Sequence, residues 1–261
     1  MTTREEGIRR EVAKVFWNDM ARPASERTAL SRDAANSLIC SCLLNRGIKW
    51  SLAMSAVDQM KIRTGYTDTL LMMTSLSPEA LESVLFDDTT DYTEVGGRNG
   101  SLHRYRYMAR YLSEMGCRIR DEYSGDARNL YRDEPTGAQL LARVMDFKGI
   151  GSKIGAMWVR ICVLSHKVQL WDTYASMDVS PDRHVMAVMS RLGLVSENPT
   201  PQEVINKARE MSPLCPVELE GMFALSLDYH CSTSRPACST SDGDCPVVMY
   251  CPTASRVLGL V

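Results

Sequence analysis

Apolar residues recur along this chain in steps of three and four, the spacing that gathers them on one side of an α-helix. In "AANSLICSCLL" (34–44) the stripe runs through Leu38, Ile39, Cys42 and Leu43. In "TGAQLLARVM" (136–145) it runs through Leu140, Leu141, Val144 and Met145, with Thr136 and Gln139 spaced as a capping box ahead of it. Three further helix starts are marked by a capping residue followed by proline: Ser77-Pro78, Ser180-Pro181 and Thr200-Pro201, the last with Glu203 beyond it. No pair of segments alternates with period two, so the pattern predicts an all-α protein. Loops are predicted at Asp87 to Ser101, Glu122 to Pro135 and His166 to Pro181. No internal repeat and no flexible linker composition is present, which favours two helical lobes joined by more than one crossing of the chain.

Composition sharpens this only in part. The 261 residues are 44% hydrophobic and 24% charged, enough for one large core or two smaller ones. No long apolar run and no targeting pattern at the N-terminus stands out, so the expectation is an intracellular protein without a membrane partner. A net charge of −2 gives no overall attraction for a polyanion. Any nucleic-acid surface must be local, and His103-Arg104-Tyr105-Arg106 and Arg118 to Arg120 read either as such contacts or as solvated helix faces.

The nine cysteines divide into two groups. Cys40, Cys42, Cys117, Cys162 and Cys215 lie among apolar residues, where a thiol is ordinarily a small core side chain. Cys231, Cys238, Cys245 and Cys251 instead follow C-x6-C-x6-C-x5-C. Thiols at that density bind metal or form disulfides, and an intracellular setting disfavours disulfides. The close C-x2-C or C-x4-C pairs usual for zinc are missing; an iron-sulfur cubane, with one thiolate on each iron, accepts wider gaps and is favoured over zinc.

Two stretches carry candidate chemistry. In "MDFKGIGSKIGAMWVR" (145–160) Gly149 and Gly151 flank Ile150 between two helical segments. Glycines let the backbone approach a partner, and free amides at a helix start bind anions such as a DNA phosphate; a plain helix-to-helix turn with a glycine C-cap is the alternative. Lys153 follows at the start of an apolar helix. Partial desolvation and the positive helix end would both disfavour its charge, as a nucleophilic amine requires; a solvent-facing lysine lying along its helix is the alternative. In "DVSPDRHVMAVMSRLGL" the predicted helix places Asp182 in its first turn, where it is held ionised. There it either serves chemistry or simply complements the helix start.

Taken in order, hairpin "GIGSK", then "DRHV", then "RLGL", then four cysteines, these motifs resemble the helix-hairpin-helix DNA glycosylase superfamily, in its iron-sulfur branch typified by endonuclease III. The resemblance spans roughly Ser31 to Cys251. It implies a six-helix barrel over 31–166 carrying the hairpin, a second lobe of 1–30 and 167–261 holding a 4Fe-4S cluster on Cys231, Cys238, Cys245 and Cys251, and an active site in the cleft between them. It implies that Gly149, Ile150, Gly151 and Ser152 grip DNA, that Lys153 forms a Schiff base with deoxyribose, and that Asp182 is the essential aspartate, with Asp178 in "MDVSP" as rival. The middle cysteine gap is lengthened by "STSDGD", and Lys153 and Asp182 stand farther apart than in endonuclease III through a loop at His166 to Met177. Where relatives often carry a glutamine-containing segment that plugs the space of an extracted base, this chain has "LLNRGIKW", making Asn45 and Arg46 the replacements; Arg235 is a further phosphate contact. The implied activity is excision of a flipped-out base, by family default an oxidised pyrimidine, from double-stranded DNA by a monomeric glycosylase with abasic-site lyase activity. The alternatives are a monofunctional glycosylase for mismatched uracil or thymine, adenine or an alkylated base, using water activated by Asp182, and a non-catalytic iron-sulfur DNA-binding protein.

Overall fold

The computed structural model describes residues 1–45, 50–85, 107–229, 231, 236, 238 and 245–259. The predicted loop at Asp87 to Ser101, the basic run 103–106, Arg46 and Arg235 lie outside them. Among the described residues the chain is helical, with no β-strand and a single isolated bridge between Thr28 and His166. The helices are α1 Thr3–Val15, α2 Arg32–Leu44, α3 Trp50–Thr64, α4 Thr69–Ser75, α5 Pro78–Leu85, α6 Tyr107–Glu122, α7 Gly137–Met145, α8 Ser152–Ser165, α9 Arg183–Arg191, α10 Pro201–Met211, α11 Gly221–Asp228 and α12 Pro252–Val257. None is long and apolar enough to cross a membrane.

Side-chain caps set several of these starts. Ser31 Oγ, Asp68 Oδ1, Ser77 Oγ and Thr200 Oγ1 each accept an amide of the first turn that follows, which is the bond an unpaired helix-start N–H needs. Two of the three Pro-marked starts, α5 and α10, therefore begin where expected. The third does not: α9 begins at Arg183, with Asp182 as its N-cap rather than a residue of its first turn, because Pro181 is taken up in a tight turn just before it.

The chain divides into two compact units, one of residues 1–28, 136–138 and 159–261 and one of 29–135 and 139–158. The first is cored by Ile8 and Val12 of α1, Val185, Val188 and Met189 of α9, Val204 and Ala208 of α10, and Met222 and Leu225 of α11. Helix α11 meets α1 backbone to backbone at Gly221, where a Cβ would lie 2.4 Å from the Val12 carbonyl oxygen. Lys207 of α10 pairs with Glu5 of α1 at 2.6 Å, and that bond holds the Glu5 carboxyl down at about 2.

In the second unit α2 is buried along most of its length, packed among α3, α4 and α6. Asn36 within it holds the Gly125 carbonyl and the Ala127 amide at 3.2 and 2.9 Å, so one buried side chain fixes the loop after α6. Cys40 is fully enclosed and its thiol is pushed up to about 12 by burial, as suits a core side chain.

Candidate functional site

The hairpin is built from the helix it ends and the helix it starts. Phe147 accepts the Ile150 amide at 3.0 Å, and the Gly151 carbonyl accepts the Gly155 amide at 2.8 Å, opening α8. Ile150 points inward and is buried, while Gly151 is exposed. The two glycines differ in what requires them. Gly149 has φ +89°, and a Cβ there would fall 2.6 Å from the Tyr111 ring and 3.0 Å from Leu43. At Gly151 a Cβ would meet open space and the backbone is ordinary, so nothing inside the described protein demands glycine. Gly155 lets α8 close onto Leu141 and Val144 of α7, with Leu141 Cδ1 only 2.8 Å from where a Cβ would stand. Gly149→Ala is expected to destabilise by about 3 kcal/mol, and Gly151→Ala by less than ~0.5 kcal/mol. Thermal unfolding of the two variants checks this contrast.

Lys153 is the second residue of α8. Ile154, Ala156, Trp158 and Val159 are buried, and Lys153 falls on the other side of the helix and is exposed. The expected desolvation of its amine is therefore absent: a helical stripe that buries its apolar members turns the residue between them outward. Among the described residues Lys153 has no hydrogen bond and no ion pair. Ser152, ahead of it, is half-buried.

Asp182 is 8% exposed. Its Oδ1 accepts the amides of His184 and Val185 at 2.8 and 2.9 Å, and Oδ2 accepts no hydrogen bond among the described residues. One oxygen is thus spent on the helix and the other is available. His184 is itself fixed, with Nδ1 2.8 Å from Ser226 Oγ and the ring edge-on to Phe223. The rival Asp178 is consumed differently. Both of its oxygens are held by Arg209, at 2.8 and 2.7 Å, a two-pronged ion pair that leaves it no free acceptor directed elsewhere.

The four late cysteines come together. All four line one recess of about 20 Å³, with Val188, Leu192 and Arg191 among the other walls. Burial and the facing Cys251 and Cys245 push the Cys238 thiol up, while Arg191 draws it down. The Cys231 thiol is pushed up by a hydrogen bond with Cys245 and by burial. Thiols so crowded ionise together only around a positive group. Cys251 Sγ also accepts the Ala254 amide at 3.5 Å, capping α12. None of the nine cysteines is in a disulfide. Among the described residues no group of three or more His, Cys, Asp or Glu side chains is disposed to hold a metal ion.

Asn45 is the C-cap of α2, and its Nδ2 lies 3.8 Å from Met157 Sδ of α8. The loop of 166–177 plays a part that no local signal in the sequence marks. Asp172 Oδ1 accepts the Gly137 amide at 3.1 Å and Ser176 Oγ accepts the Ala138 amide at 2.9 Å, so this loop caps α7. Gly137 packs directly on the Ser176 and Met177 backbone, and Tyr174 rests on Trp17 with ring centroids 5.6 Å apart. Trp171, at the loop's surface, is 80% exposed.

No protein-family model and no curated relative matches the chain. Solved structures do. An endonuclease III–DNA complex trapped as a covalent intermediate, and a non-covalent endonuclease III–DNA complex, each superpose with a TM-score of 0.64 at 19% identity, over 99% of this chain and 100% of theirs. A thermostable thymine-DNA glycosylase superposes with a TM-score of 0.60 at 16% identity, over 97% of both chains. The chain has the helical fold of these structures.

Proposed function

We propose that this protein, built on the fold of endonuclease III, is a DNA glycosylase that excises a flipped-out damaged base, an oxidised pyrimidine, and then nicks the strand at the resulting abasic site. The observation that carries the reading is the state of two side chains, each taken in its own unit. Lys153 stands exposed directly after the Gly149-Ile150-Gly151 turn, and Asp182 keeps one carboxylate oxygen uncommitted. The likeness to an endonuclease III caught in a covalent DNA intermediate supports a covalent route.

Extracting a base from the stack costs a few kcal/mol, less for a damaged or mispaired one, and this supplies part of the selectivity. Asp182 accepts a proton from the Lys153 ammonium. The free amine attacks the sugar C1′, the bond from C1′ to the base breaks, and the base leaves with the electron pair and takes a proton. Ring opening gives an imine between Lys153 and the sugar. Loss of a C2′ proton then expels the 3′ phosphate and breaks the strand. Asp182's charge also stabilises the positive character that develops at the sugar. The amides around Gly151 and Ser152 grip phosphate without reading sequence; glycine at 151, needless for the fold, leaves room for that contact. Binding is accordingly weakened by salt.

Cys231, Cys238, Cys245 and Cys251 would hold a 4Fe-4S cluster, one thiolate on each iron: the four thiols share one recess, and their sequence gaps are wider than the close pairs usual for zinc. Such a cluster would supply cross-linking of the segment before α12. The chemistry above uses only amine, carboxylate and phosphate contacts.

One observation favours a second reading. Lys153 is exposed on α8, which suits it as a phosphate contact while Asp182 activates water. Borohydride trapping on duplexes that each carry one lesion or an abasic site tests the main reading. A covalent adduct is expected on the abasic duplex and on those bearing a substrate lesion. No adduct on any duplex rules out the lysine, and alkali cleavage of the same reactions then tells a water-using glycosylase from a binding protein.

A further inference from the structure

A buried carboxyl that this chemistry does not use lies behind Asp182. Glu220 ends the short turn Pro216–Glu220 just ahead of α11 and is 4% exposed. Its Oε2 accepts the amide of Ser180 at 2.7 Å, across 40 positions of sequence, and Arg160 Nε lies 3.4 Å from its Oε1. The Ser180 carbonyl in turn accepts the Asp182 amide at 2.7 Å, closing a three-residue turn centred on Pro181. Proline's fixed φ suits the middle of that turn. Asp182 is therefore located by two fixtures. One is its own helix, through Oδ1. The other is the turn before it, and the long-range anchor of that turn is Glu220.

A buried carboxylate is a costly way to fill space, since an apolar side chain of similar volume often serves stability as well. Burial pushes the Glu220 carboxyl up, Arg160 and Ser180 oppose this, and the negative charge of Asp182 adds to the upward push. The two carboxyls thus interact.

We propose that Glu220 is a positioning residue: by holding Ser180 it sets where the open oxygen of Asp182 points. This rests on the reading of Asp182 as a catalytic group. Two variants separate reach from shape. Glu220→Asp keeps the charge beside Arg160 but falls one carbon short of Ser180, and Glu220→Gln keeps both length and an acceptor. With folding checked by circular dichroism, amide exchange at Ser180, His184 and Val185 is expected to rise at least ~10-fold in Glu220→Asp and to stay near wild type in Glu220→Gln. Single-turnover base release is expected to fall on the order of 100-fold in Glu220→Asp, as for an error of about 1 Å in a reacting group, with DNA affinity within ~3-fold. In an Asp182→Asn background the same change is expected to cost nothing more, since both act through one carboxylate. Wild-type exchange at Ser180 in folded Glu220→Asp overturns the proposal, as does a wild-type excision rate in that variant. If the wild-type protein itself releases no base from any duplex, the glycosylase reading fails, and the exchange measurement still decides whether Glu220 holds the turn.

Discussion

Asp182→Asn is expected to lower single-turnover base release by at least ~1000-fold while leaving stability within ~0.5 kcal/mol of wild type. The two halves of this expectation come from different oxygens. Asparagine caps a helix as well as aspartate does, so the amides of His184 and Val185 keep their acceptor. The charge needed to take a proton from an amine, or to steady a sugar cation, is lost. Asp178→Asn makes the control. It removes the charge from a pair with Arg209 whose side chains are 53% and 8% exposed on the Arg209 and Asp178 sides, and is expected to cost about 1–3 kcal/mol of stability with excision by the folded protein unchanged. Parallel melting and excision assays on the two variants make the comparison. Near-wild-type excision by Asp182→Asn would make Asp182 a helix cap and nothing more.

Lys153→Gln is expected to abolish the borohydride adduct and strand nicking altogether, with stability unchanged within ~0.5 kcal/mol because the side chain is exposed and makes no described bond. Glutamine retains the reach to touch phosphate but has no nucleophilic nitrogen. Base release, scored by alkali cleavage, then assigns the first attack. If the amine attacks C1′, release disappears with nicking. If water attacks, release survives while the adduct is lost, and Lys153 contributes one phosphate charge, which reduces the salt slope of binding by about 1.

Much of the helical architecture could be read from the chain because its signals are local. The stripe of 38–43 is the buried helix α2, and Ser77-Pro78 and Thr200-Pro201 begin α5 and α10 as their caps direct. Ser180-Pro181 misled because Ser-Pro marks a turn as readily as a helix start, and here the turn won. The exposure of Lys153 was implicit in the same periodicity that identified α8, since an apolar stripe leaves its interrupting residues outside. Other features depend on partners remote in sequence and had no local signal. Arg209 occupies Asp178 from 31 positions away, Asp172 caps α7 from 35, and Glu220 reaches Ser180 across 40. The cysteine spacing singled out four thiols, but only the tertiary structure brings them around one recess.

The unit that contains Asp182 and the cysteines has a consequence for how the chain folds. Helix α1 packs on α11 with Gly221 against Val12, and Arg9 bonds Glu218 at 2.9 Å across 209 positions. Closing so long a stretch costs entropy before any contact repays it, and high contact order slows folding. The other unit is stitched over shorter spans, as between Asn36 and Gly125, 89 apart. On refolding, amide protection in Arg32–Leu44 is expected to precede that in Thr3–Val15, as pulsed exchange labelling would record. A nascent chain would thus present a formed hairpin while its first helix still waits for a partner.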